Sequence, residues 1–294
     1  MHRRRRSECP AARNISHREL LPGSLFLPAI PLHIGNPHPR ASLSTIAGGA
    51  RLRMTLDIGR VPEERIMGLL SRNSLLRQVP DAEIKSLVRR ARLQRFRERE
   101  AIFSQGDEGR SVQAVLEGFV KLSSSTAAGR EIILDVAGPG SIFGEIAVMN
   151  EWPRAADAVA LTPCSLLAID GYSFRQALTR APAALFGVIR MVSERLRRAT
   201  EQLTDGVDLP ASARLAKALM QLAALNSHQV ADGLQIDVVL SQRELGGMTG
   251  LTRESINKHL AAWREEGWVR LTTDGAIILV NPQGLRDLLR TQGL

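Results

Sequence analysis

The stretch that decides the fold is residues 240–256, which have the sequence LSQRELGGMTGLTRESI. Ser241 is followed three residues later by Glu244, the pattern of a capping box, which predicts that a short helix begins here. Gly250 supplies a turn, and Thr252 can cap the N-terminus of a second helix. Two short helices joined through a glycine predict a helix-turn-helix.

Residues 207–294 surround this stretch with the elements of a winged domain. Two apolar runs at residues 268–271 and 276–280 are joined through Asp274-Gly275, which favours a hairpin. An amphipathic helix and a strand are predicted upstream, at residues 212–225 and 234–239. The whole segment is therefore predicted to be a winged helix-turn-helix domain.

The second helix of the motif, predicted to run from Thr252 to about Glu266, has one apolar side and one polar side. At about 100° per residue, Ile256, Leu260 and Trp263 form an apolar stripe. The polar side carries four hydrogen-bonding side chains, Arg253, Glu254, Asn257 and Lys258. Arg and Lys can donate to guanine O6 and N7, and Glu can accept from cytosine N4. This pattern favours a DNA recognition helix with a G·C-containing half-site over an ordinary solvated helix face.

Residues 93–170 have the composition of a small β domain, and helices are expected before it, over residues 62–96. Short β-rich runs alternate with glycine-containing turns. The predicted strands are residues 101–103, 112–116, 119–122, 131–136 and 165–169. Several short strands at this spacing indicate a sandwich or a barrel.

A long helix is predicted over residues 182–205, with Pro182 in its first turn and Asp205-Gly206 and Pro210 at its end. Apolar residues recur along it at spacings of 4, 3, 4, 3 and 4, namely Leu185, Ile189, Val192, Leu196, Ala199 and Leu203. Such a seam suits a two-stranded coiled coil. We therefore expect a dimerisation helix, the alternative being a helix packed only on its own domain.

The most specific pattern in the β-rich region is FGEIAVM at residues 143–149, followed by Pro-Arg-Ala-Ala at residues 153–156. A cyclic nucleotide presents a phosphate anion, a ribose 2′-hydroxyl and a purine. Gly144 permits close backbone approach, Glu145 can accept the hydroxyl proton, and Arg154 can bind the phosphate. The apolar residues after Glu145 can form a helical turn whose N–H groups face the phosphate.

Both patterns resemble known families. Residues 240–270, with TRESI at 252–256 as the start of the recognition helix, resemble the cyclic-AMP receptor/fumarate-nitrate regulator family of bacterial transcription regulators. Residues 143–156 resemble the phosphate-binding cassette of cyclic-nucleotide-binding domains. The resemblance covers about residues 70–290. It implies an α+β fold with a β-roll (jelly roll) sensory domain at residues 62–180, a long dimerisation helix and a C-terminal winged helix-turn-helix.

The resemblance also implies roles for particular residues. The ligand-binding residues would be Gly144, Glu145, Ile146, Arg154, Ala155 and Thr200. The DNA-binding residues would be Ser241, Arg243, Thr252, Arg253, Glu254, Asn257 and Lys258. Ala155 favours cyclic AMP, because the related eukaryotic domains that bind cyclic GMP have Thr at this position.

The chain departs from the family pattern at three positions. Asp157 adds a carboxylate just after the arginine of the cassette, where it either points away or weakens anion binding. Ala199 and Thr200 stand where the bacterial receptor has two hydroxyl residues facing the purine, so only Thr200 can make that contact. Lys258 stands where many members have Arg, and its ammonium group lacks the planar fork with which an arginine makes a bidentate guanine contact.

The net charge of +9 does not by itself indicate a nucleic-acid partner, because it is concentrated in one segment. Residues 1–53 hold nine Arg and two Glu, which leaves only +2 for residues 54–294. This segment is rich in Arg, Pro and Ser and is expected to be a disordered extension. A mis-assigned start, with translation beginning at Met54, is the other interpretation.

Several classes of protein are disfavoured by composition. No run of about 18 apolar residues is present, so a membrane span is not expected. Cys9 and Cys164 cannot supply the four thiolates of most iron–sulfur clusters. No His lies between residues 54 and 227, which argues against haem. The sequence contains no recognisable P-loop and no nucleophile–base pair, so an enzyme is not expected. No metal site is expected either.

The sequence therefore predicts a cytoplasmic, homodimeric, sequence-specific DNA-binding transcription regulator. It would be gated by a small effector, with cyclic AMP favoured, and it would hold no other cofactor. Its expected partners are double-stranded DNA with an inverted repeat, the cyclic nucleotide and a second copy of the chain, with RNA polymerase as a further candidate. Two alternatives are the same fold sensing another ligand or none, and a cyclic-nucleotide-binding scaffold that does not bind DNA.

Overall fold

The computed structural model describes residues 55–56, 62–71 and 73–293. The predicted extension over residues 1–53 and Cys9 lie outside the described residues. In the described part of the chain, no helix is long and apolar enough to cross a membrane.

Two helices precede the β domain, α1 at Glu63–Leu70 and α2 at Asp81–Arg90. Each begins directly after a proline and carries acidic residues in its first turn, where they interact favourably with the helix dipole. The prediction of helix up to residue 96 was wrong, because Arg92–Phe96 is strand β2. Tertiary pairing overrides the local pattern here, since this segment pairs antiparallel with a strand over 60 residues later in the chain.

Two antiparallel sheets face each other and form the predicted β-roll. The first has the order β1-β2-β9-β4-β7, where β1 is Thr55–Leu56, β4 is Ser111–Glu117, β7 is Ile142–Phe143 and β9 is Cys164–Asp170. The second has the order β3-β8-β5-β6, where β3 is Ala101–Phe103, β5 is Val120–Ser125, β6 is Glu131–Ala137 and β8 is Asp157–Ala160. Buried residues from both sheets, among them Phe96, Val115, Val120 and Leu166, fill the space between them. Strands β7 and β8 were not predicted.

Three helices lie against or follow the roll. They are α3 at Glu145–Asn150, α4 at Gly171–Arg180, which was not predicted, and α5 at Ala184–Asp208. Helix α5 is the predicted long helix, but it continues through Gly206 instead of ending there. A glycine inside a helix costs only about 1 kcal/mol. Pro210 disfavours helical backbone at the preceding residue, and Leu209 is extended.

Helix α5 has two different faces. Ala184, Gly187 and Met191 are buried against the core formed with α1, α2 and α4. The contact is close, because a Cβ on Gly187 would lie 2.6 Å from the carbonyl oxygen of Ser74. The predicted seam is exposed in the single chain, and Leu196 is 67% exposed. The helix thus packs on its own domain with one face and leaves its heptad seam uncovered.

The C-terminal part is a winged helix-turn-helix domain, as predicted. Its helices are α6 at Ala211–Leu225, α7 at Gln242–Thr249, α8 at Arg253–Glu265 and α9 at Pro282–Arg290. Its strands are β10 at Ser227–Val230, β11 at Gly233–Ile236, β12 at Val269–Leu271 and β13 at Ile277–Leu279, in the order β10-β11-β13-β12. Strand β10 and helix α9 were not predicted, and the strand expected over residues 234–239 ends at Ile236.

The roll and the winged domain share a hydrophobic core. Phe119, Ile133, Val136 and Leu161 of the roll pack together with the buried residues of the winged domain. Helix α7 lies on strand β6, where a Cβ on Gly247 would be 3.1 Å from Cγ1 of Ile133. The first helix of the helix-turn-helix therefore contacts the sensory sheet directly.

Candidate nucleotide and DNA sites

The cassette begins where strand β7 turns into helix α3. Gly144 is the residue before α3 and has left-handed backbone with φ of +78°. A Cβ at Gly144 would lie 2.4 Å from Nη1 of Arg154. Glycine is required here both by the backbone conformation and by the approach of the arginine.

Arg154 is buried, with 5% of its surface exposed, and it is held by backbone carbonyls. Nη1 donates to the carbonyl oxygen of Gly144 at 2.8 Å, and Nη2 donates to that of Ser111 at 2.6 Å. Its guanidinium carbon lies 4.2 Å from the ring centre of Phe103. Burial lowers the pKa of Arg154, while the charges of Asp107 and Glu145 act in the opposite direction. An arginine remains protonated in any such environment, so the cassette contains a fixed, buried cation.

The carboxylate of Asp157, which departs from the family pattern, is bonded to the turn that follows β3. It accepts a hydrogen bond of 2.8 Å from the backbone N–H of Gln105. Within the described part of the chain, neither Asp157 nor Glu145 forms an ion pair with Arg154. The guanidinium is therefore not neutralised by direct pairing with either carboxylate.

Glu145 is 1% exposed and pairs with an arginine from the long helix. Arg195 of α5 donates to Oε1 of Glu145 and also, at 3.2 Å, to the carbonyl oxygen of Ile142. Oε2 of Glu145 has no hydrogen-bond partner among the described residues. A buried carboxylate oxygen without a donor is costly, and a ligand hydroxyl would satisfy it.

Arg195 was not identified from the sequence as a site residue. Its position four residues after the buried Met191 places it on the face of α5 that packs against the roll. That spacing was the available signal. The identity of its partner depends on a contact 50 residues away in sequence, which no local pattern encodes.

The remaining predicted ligand residues are less closely connected. Ile146 and Ala155 are exposed beside Glu145 and Arg154. Thr200 lies on the exposed part of α5, where its hydroxyl donates to the carbonyl oxygen of Leu196 at 2.9 Å. In the described structure it forms no hydrogen bond with the cassette. The structure thus brings Gly144, Glu145 and Arg154 together, while the Thr200 hydroxyl bonds within its own helix.

The recognition helix has the two faces that the sequence predicted. Ile256, Leu260 and Trp263 are buried. The polar residues are exposed, namely Arg253, Glu254, Asn257 and Lys258. Arg243 on α7 is exposed as well. A continuous polar surface therefore spans the two helices.

Ser241 and Thr252 cap the two helices of the motif. Ser241 and Glu244 form the predicted capping box, in which each side chain bonds the backbone of the other residue. The hydroxyl of Thr252 accepts a hydrogen bond of 3.2 Å from the backbone N–H of Ser255. Both hydroxyl groups are thus already used in forming the helix-turn-helix.

Gln242 is a polar residue on this surface that was not predicted. Its side chain accepts a hydrogen bond from Arg253 and donates one to Asn257. Its position at the start of α7, directly after the capping serine, was the only sequence signal available.

No alternative chemistry stands out in the described residues. Cys164 is a free, buried thiol, and burial raises its pKa, which keeps it protonated. No cluster of His, Cys, Asp or Glu in the described part of the chain could hold a metal ion.

Comparison with known proteins identifies the same two domains. The chain matches the model of the cyclic nucleotide-binding domain at residues 93–181 and that of the Crp-like helix-turn-helix domain at residues 213–288. A cyclic AMP receptor protein from Thermus thermophilus is 33% identical over 170 residues, which cover 58% of this chain and 76% of that protein. A CRP-like cAMP-activated global transcriptional regulator from Mycobacterium tuberculosis is 28% identical over 213 residues, covering 72% of this chain and 94% of that protein.

A solved structure shows the same fold. FixK2 from Bradyrhizobium japonicum aligns with a TM-score of 0.61 and 23% identity, covering 67% of this chain and 96% of that one.

The fold and these matches define a transcription regulator that has a cyclic-nucleotide-binding domain and a DNA-binding helix-turn-helix. The relative from Mycobacterium tuberculosis is named as a transcriptional regulator and not as an enzyme. The chain belongs to the cyclic-AMP receptor/fumarate-nitrate regulator (Crp/Fnr) family, as its recognition helix and cassette predicted.

Proposed function

We propose that this regulator is a homodimer that binds cyclic AMP in the roll and then binds an inverted-repeat DNA site. The observation that carries the effector proposal is the pair of buried charges in the cassette. Arg154 and Glu145 are both nearly inaccessible, and each keeps one side-chain atom, Nε and Oε2, without a protein partner in the described structure. A buried hydrogen-bond donor and a buried acceptor, both without a partner, suit a ligand that carries an anionic group and a hydroxyl group.

In this proposal the nucleotide is held from two sides. Arg154 binds the phosphate together with backbone N–H groups of the turn that begins α3. Glu145 accepts the proton of the ribose 2′-hydroxyl through Oε2. Gly144, Ile146 and Ala155 line the approach, and a purine would reach toward Thr200 on α5.

Cyclic AMP is the favoured effector for two reasons. The relatives from Thermus thermophilus and Mycobacterium tuberculosis are named for cyclic AMP. Ala155 also stands where Thr accompanies cyclic GMP in the related eukaryotic domains.

The homodimer is supported by the uncovered seam of α5. Its apolar side chains, Leu185, Ile189, Val192, Leu196 and Leu203, are all substantially exposed in one chain. A row of exposed leucine and β-branched residues at heptad spacing is stabilised by pairing with an identical helix. Since a separate face of α5 already packs on the roll, the seam is available for a second copy.

The dimer would present two recognition helices to one DNA site. Arg253, Glu254, Asn257 and Lys258 face outward from α8 and would contact base edges in the major groove. Arg243, Ser241 and Thr252 lie near the N-terminal ends of the two helices, where phosphate contacts are favourable. Two-fold symmetry then predicts an inverted repeat.

Coupling between the two sites would pass through α5. Arg195 joins Glu145 to this helix, and the same helix carries the seam. A nucleotide that bonds Glu145 changes the surroundings of Arg195, and with them the position of α5 against the roll.

A DNA-binding assay with and without nucleotide tests the proposed function. We expect cyclic AMP to increase the affinity of the protein for a G·C-containing palindrome in a gel-shift experiment, with a smaller effect of cyclic GMP. Calorimetry on the same protein should show cyclic-AMP binding. Absence of binding at millimolar ligand would remove the effector assignment and leave DNA binding intact.

Site selection from a random DNA pool tests the base-contacting role of Arg253. The wild type should select an inverted repeat whose half-site centres are about 10–10.5 base pairs apart. Arg253→Ala should cost about 1–3 kcal/mol of binding free energy and relax the preference at one position of each half-site. Arg286→Ala on α9 is the control for loss of an exposed arginine. If Arg253→Ala weakens all sequences alike, this residue contacts only the backbone.

A further inference from the structure

Gln242, the first residue of α7, connects the two helices on the face that carries the proposed base contacts. Its Oε1 accepts a hydrogen bond of 2.9 Å from Nε of Arg253, and its Nε2 donates to Oδ1 of Asn257. Arg253 and Asn257 lie four residues apart on α8, so their side chains are neighbours on one face. One amide group therefore joins both.

The polarity of this chain of hydrogen bonds is determined by its chemistry. A guanidinium has donors only, so Gln242 must present its oxygen to Arg253. The NH2 group of Gln242 then points toward Asn257, which must accept through its own oxygen. The NH2 group of Asn257 is left directed away from Gln242.

The arrangement leaves the two Nη atoms of Arg253 available for DNA. Only Nε is bonded, and in the described structure the two Nη atoms have no partner. These atoms remain for a bidentate contact with O6 and N7 of a guanine. Because the side chain is already held, less rotamer entropy is lost when DNA binds.

The arrangement also fixes the orientation of the Asn257 amide. Its oxygen accepts from Gln242 and is therefore on the side of α7. The NH2 group is then on the opposite side of the amide, where it can donate to an acceptor such as thymine O4 or guanine O6.

We propose that Gln242 is a specificity-determining positioning residue, which holds Arg253 for guanine and orients the amide of Asn257 so that its NH2 group is presented to a base that accepts a hydrogen bond. The inference rests on the proposed DNA-binding function. It predicts that the sequence preference at the Asn257 position is set by a residue on a different helix.

Site selection with two substitutions tests this role. Gln242→Ala removes both hydrogen bonds, and it should lower affinity for the wild-type site about threefold to tenfold and relax both positions. Gln242→Glu keeps an oxygen for Arg253 but no donor for Asn257, whose amide is then free to reverse. This variant should keep guanine at the Arg253 position and alter the preference only at the Asn257 position.

The assignment of positions and the control come from the same experiment. Selections with Arg253→Ala and Asn257→Ala identify the base pair that each residue contacts. Gln283→Ala removes an exposed glutamine from α9 and should leave the selected sequence unchanged. If Gln242→Ala weakens all sequences equally and leaves the selected sequence unchanged, Gln242 contacts only the DNA backbone and the proposal is wrong.

An NMR measurement without DNA separates this inference from the function on which it rests. In the wild type, the Nε–H signal of Arg253 should be protected from exchange with water, and Gln242→Ala should abolish that protection. Unprotected Arg253 in a protein that still selects an inverted repeat would overturn the role of Gln242 alone. A protected Arg253 in a protein that selects no sequence would overturn the DNA-binding proposal, and the inference with it.

Discussion

Individual residues in the cassette combine burial with incomplete hydrogen bonding. Arg154 is held by two backbone carbonyls and an aromatic ring, which position the cation before any ligand arrives. Glu145 is positioned by Arg195 in the same way. Preorganised charges of this kind do not have to be rearranged on binding, which lowers the free-energy cost of forming the complex.

At this scale, Arg154→Ala is expected to weaken cyclic-AMP binding at least about tenfold, and Glu145→Ala by less. A hydrogen bond to a charged group contributes about 1.5–3 kcal/mol, and Arg154 can direct a charged group at the phosphate. Isothermal calorimetry measures the change. Arg110→Ala, which removes an exposed cation from a nearby turn, is the control.

The interpretation of this substitution requires that the roll remain folded, since Arg154 also bonds the backbone. Arg154→Lys keeps the charge but not the forked geometry, and it should fall between the wild type and the alanine variant. Equal affinity in all three proteins would show that the phosphate is bound elsewhere.

Among the elements, helix α5 takes part in the core, in the cassette and in the proposed dimer interface. Its first half is buried against the core formed with α1, α2 and α4 through Ala184, Gly187 and Met191, and its Arg195 reaches the cassette. Its seam remains exposed. Because the faces are distinct, the helix can pack on its own domain and pair with a second copy at the same time.

Leu196→Glu is expected to convert the proposed dimer into monomers. Two buried leucines are lost per dimer, each contributing about 1.5–3 kcal/mol, so dimerisation should weaken at least about a hundredfold. Sedimentation velocity measures the mass. Arg190→Glu places the same carboxylate on α5 outside the seam and should leave the assembly unchanged. Persistence of a dimer in Leu196→Glu would place the interface on another surface.

At the scale of the whole molecule, an ion-pair cluster joins the sensory roll to the DNA-binding domain. Lys121 on β5 is largely buried and pairs with Glu131 on β6 at 2.9 Å and with Glu244 on α7 at 3.4 Å. Glu244 is also the residue that completes the capping box. The cluster lies beside the apolar contact between β6 and α7, so it links the sensory sheet to the start of the helix-turn-helix.

Lys121→Met is expected to reduce the free energy of unfolding by about 1–3 kcal/mol. The substitution keeps an apolar stem but leaves two carboxylates together without their cation. The expected loss is below the full cost of breaking a buried pair because Glu131 and Glu244 are partly exposed. Urea denaturation measures the change, and Lys85→Met on the exposed side of α2 is the control.

The pH dependence of stability gives this prediction a second measurement. Burial alone would raise the pKa of Glu131, but hydrogen bonds from Lys121 and Ser123 and the charges of Lys121 and Arg243 lower it overall. Because the folded-state pKa is lowered, ionised Glu131 contributes to stability at pH values above its unfolded-state pKa of about 4.3. This contribution is lost as the pH falls through the folded-state pKa. In Lys121→Met this acid-sensitive contribution to stability should shrink. If the free energy of unfolding falls at low pH as much as it does in the wild type, Lys121 does not stabilise the carboxylate of Glu131.

Deletion of residues 1–53 tests the predicted independence of that segment. It removes a net charge of +7, so non-specific DNA binding should weaken and become less dependent on salt. The melting temperature and the oligomeric state should not change. Replacing Arg3, Arg4, Arg5 and Arg6 with Gln in the full chain should reproduce part of the salt effect. A large drop in melting temperature would show that the segment packs on the protein.

The sequence by itself determined the features that depend on neighbouring residues. The capping box of Ser241 and Glu244, the turn at Gly250 and the two faces of α8 follow from spacings of three and four residues. The glycine and the charged residues of the cassette are likewise recognisable in one short stretch. These features could be predicted because hydrogen bonds and side-chain faces within a helix involve only nearby residues.

Only the tertiary structure decided the contacts between distant segments. The predicted helical range extended to residue 96, whereas pairing with β9, which is remote in sequence, makes Arg92–Phe96 a strand. The bonds of Arg195 with Glu145, of Gln242 with Arg253 and of Lys121 with Glu244 were not predicted for the same reason. Each joins elements whose approach is set by packing of the core, so the physical cause of these contacts is the fold and not the local pattern.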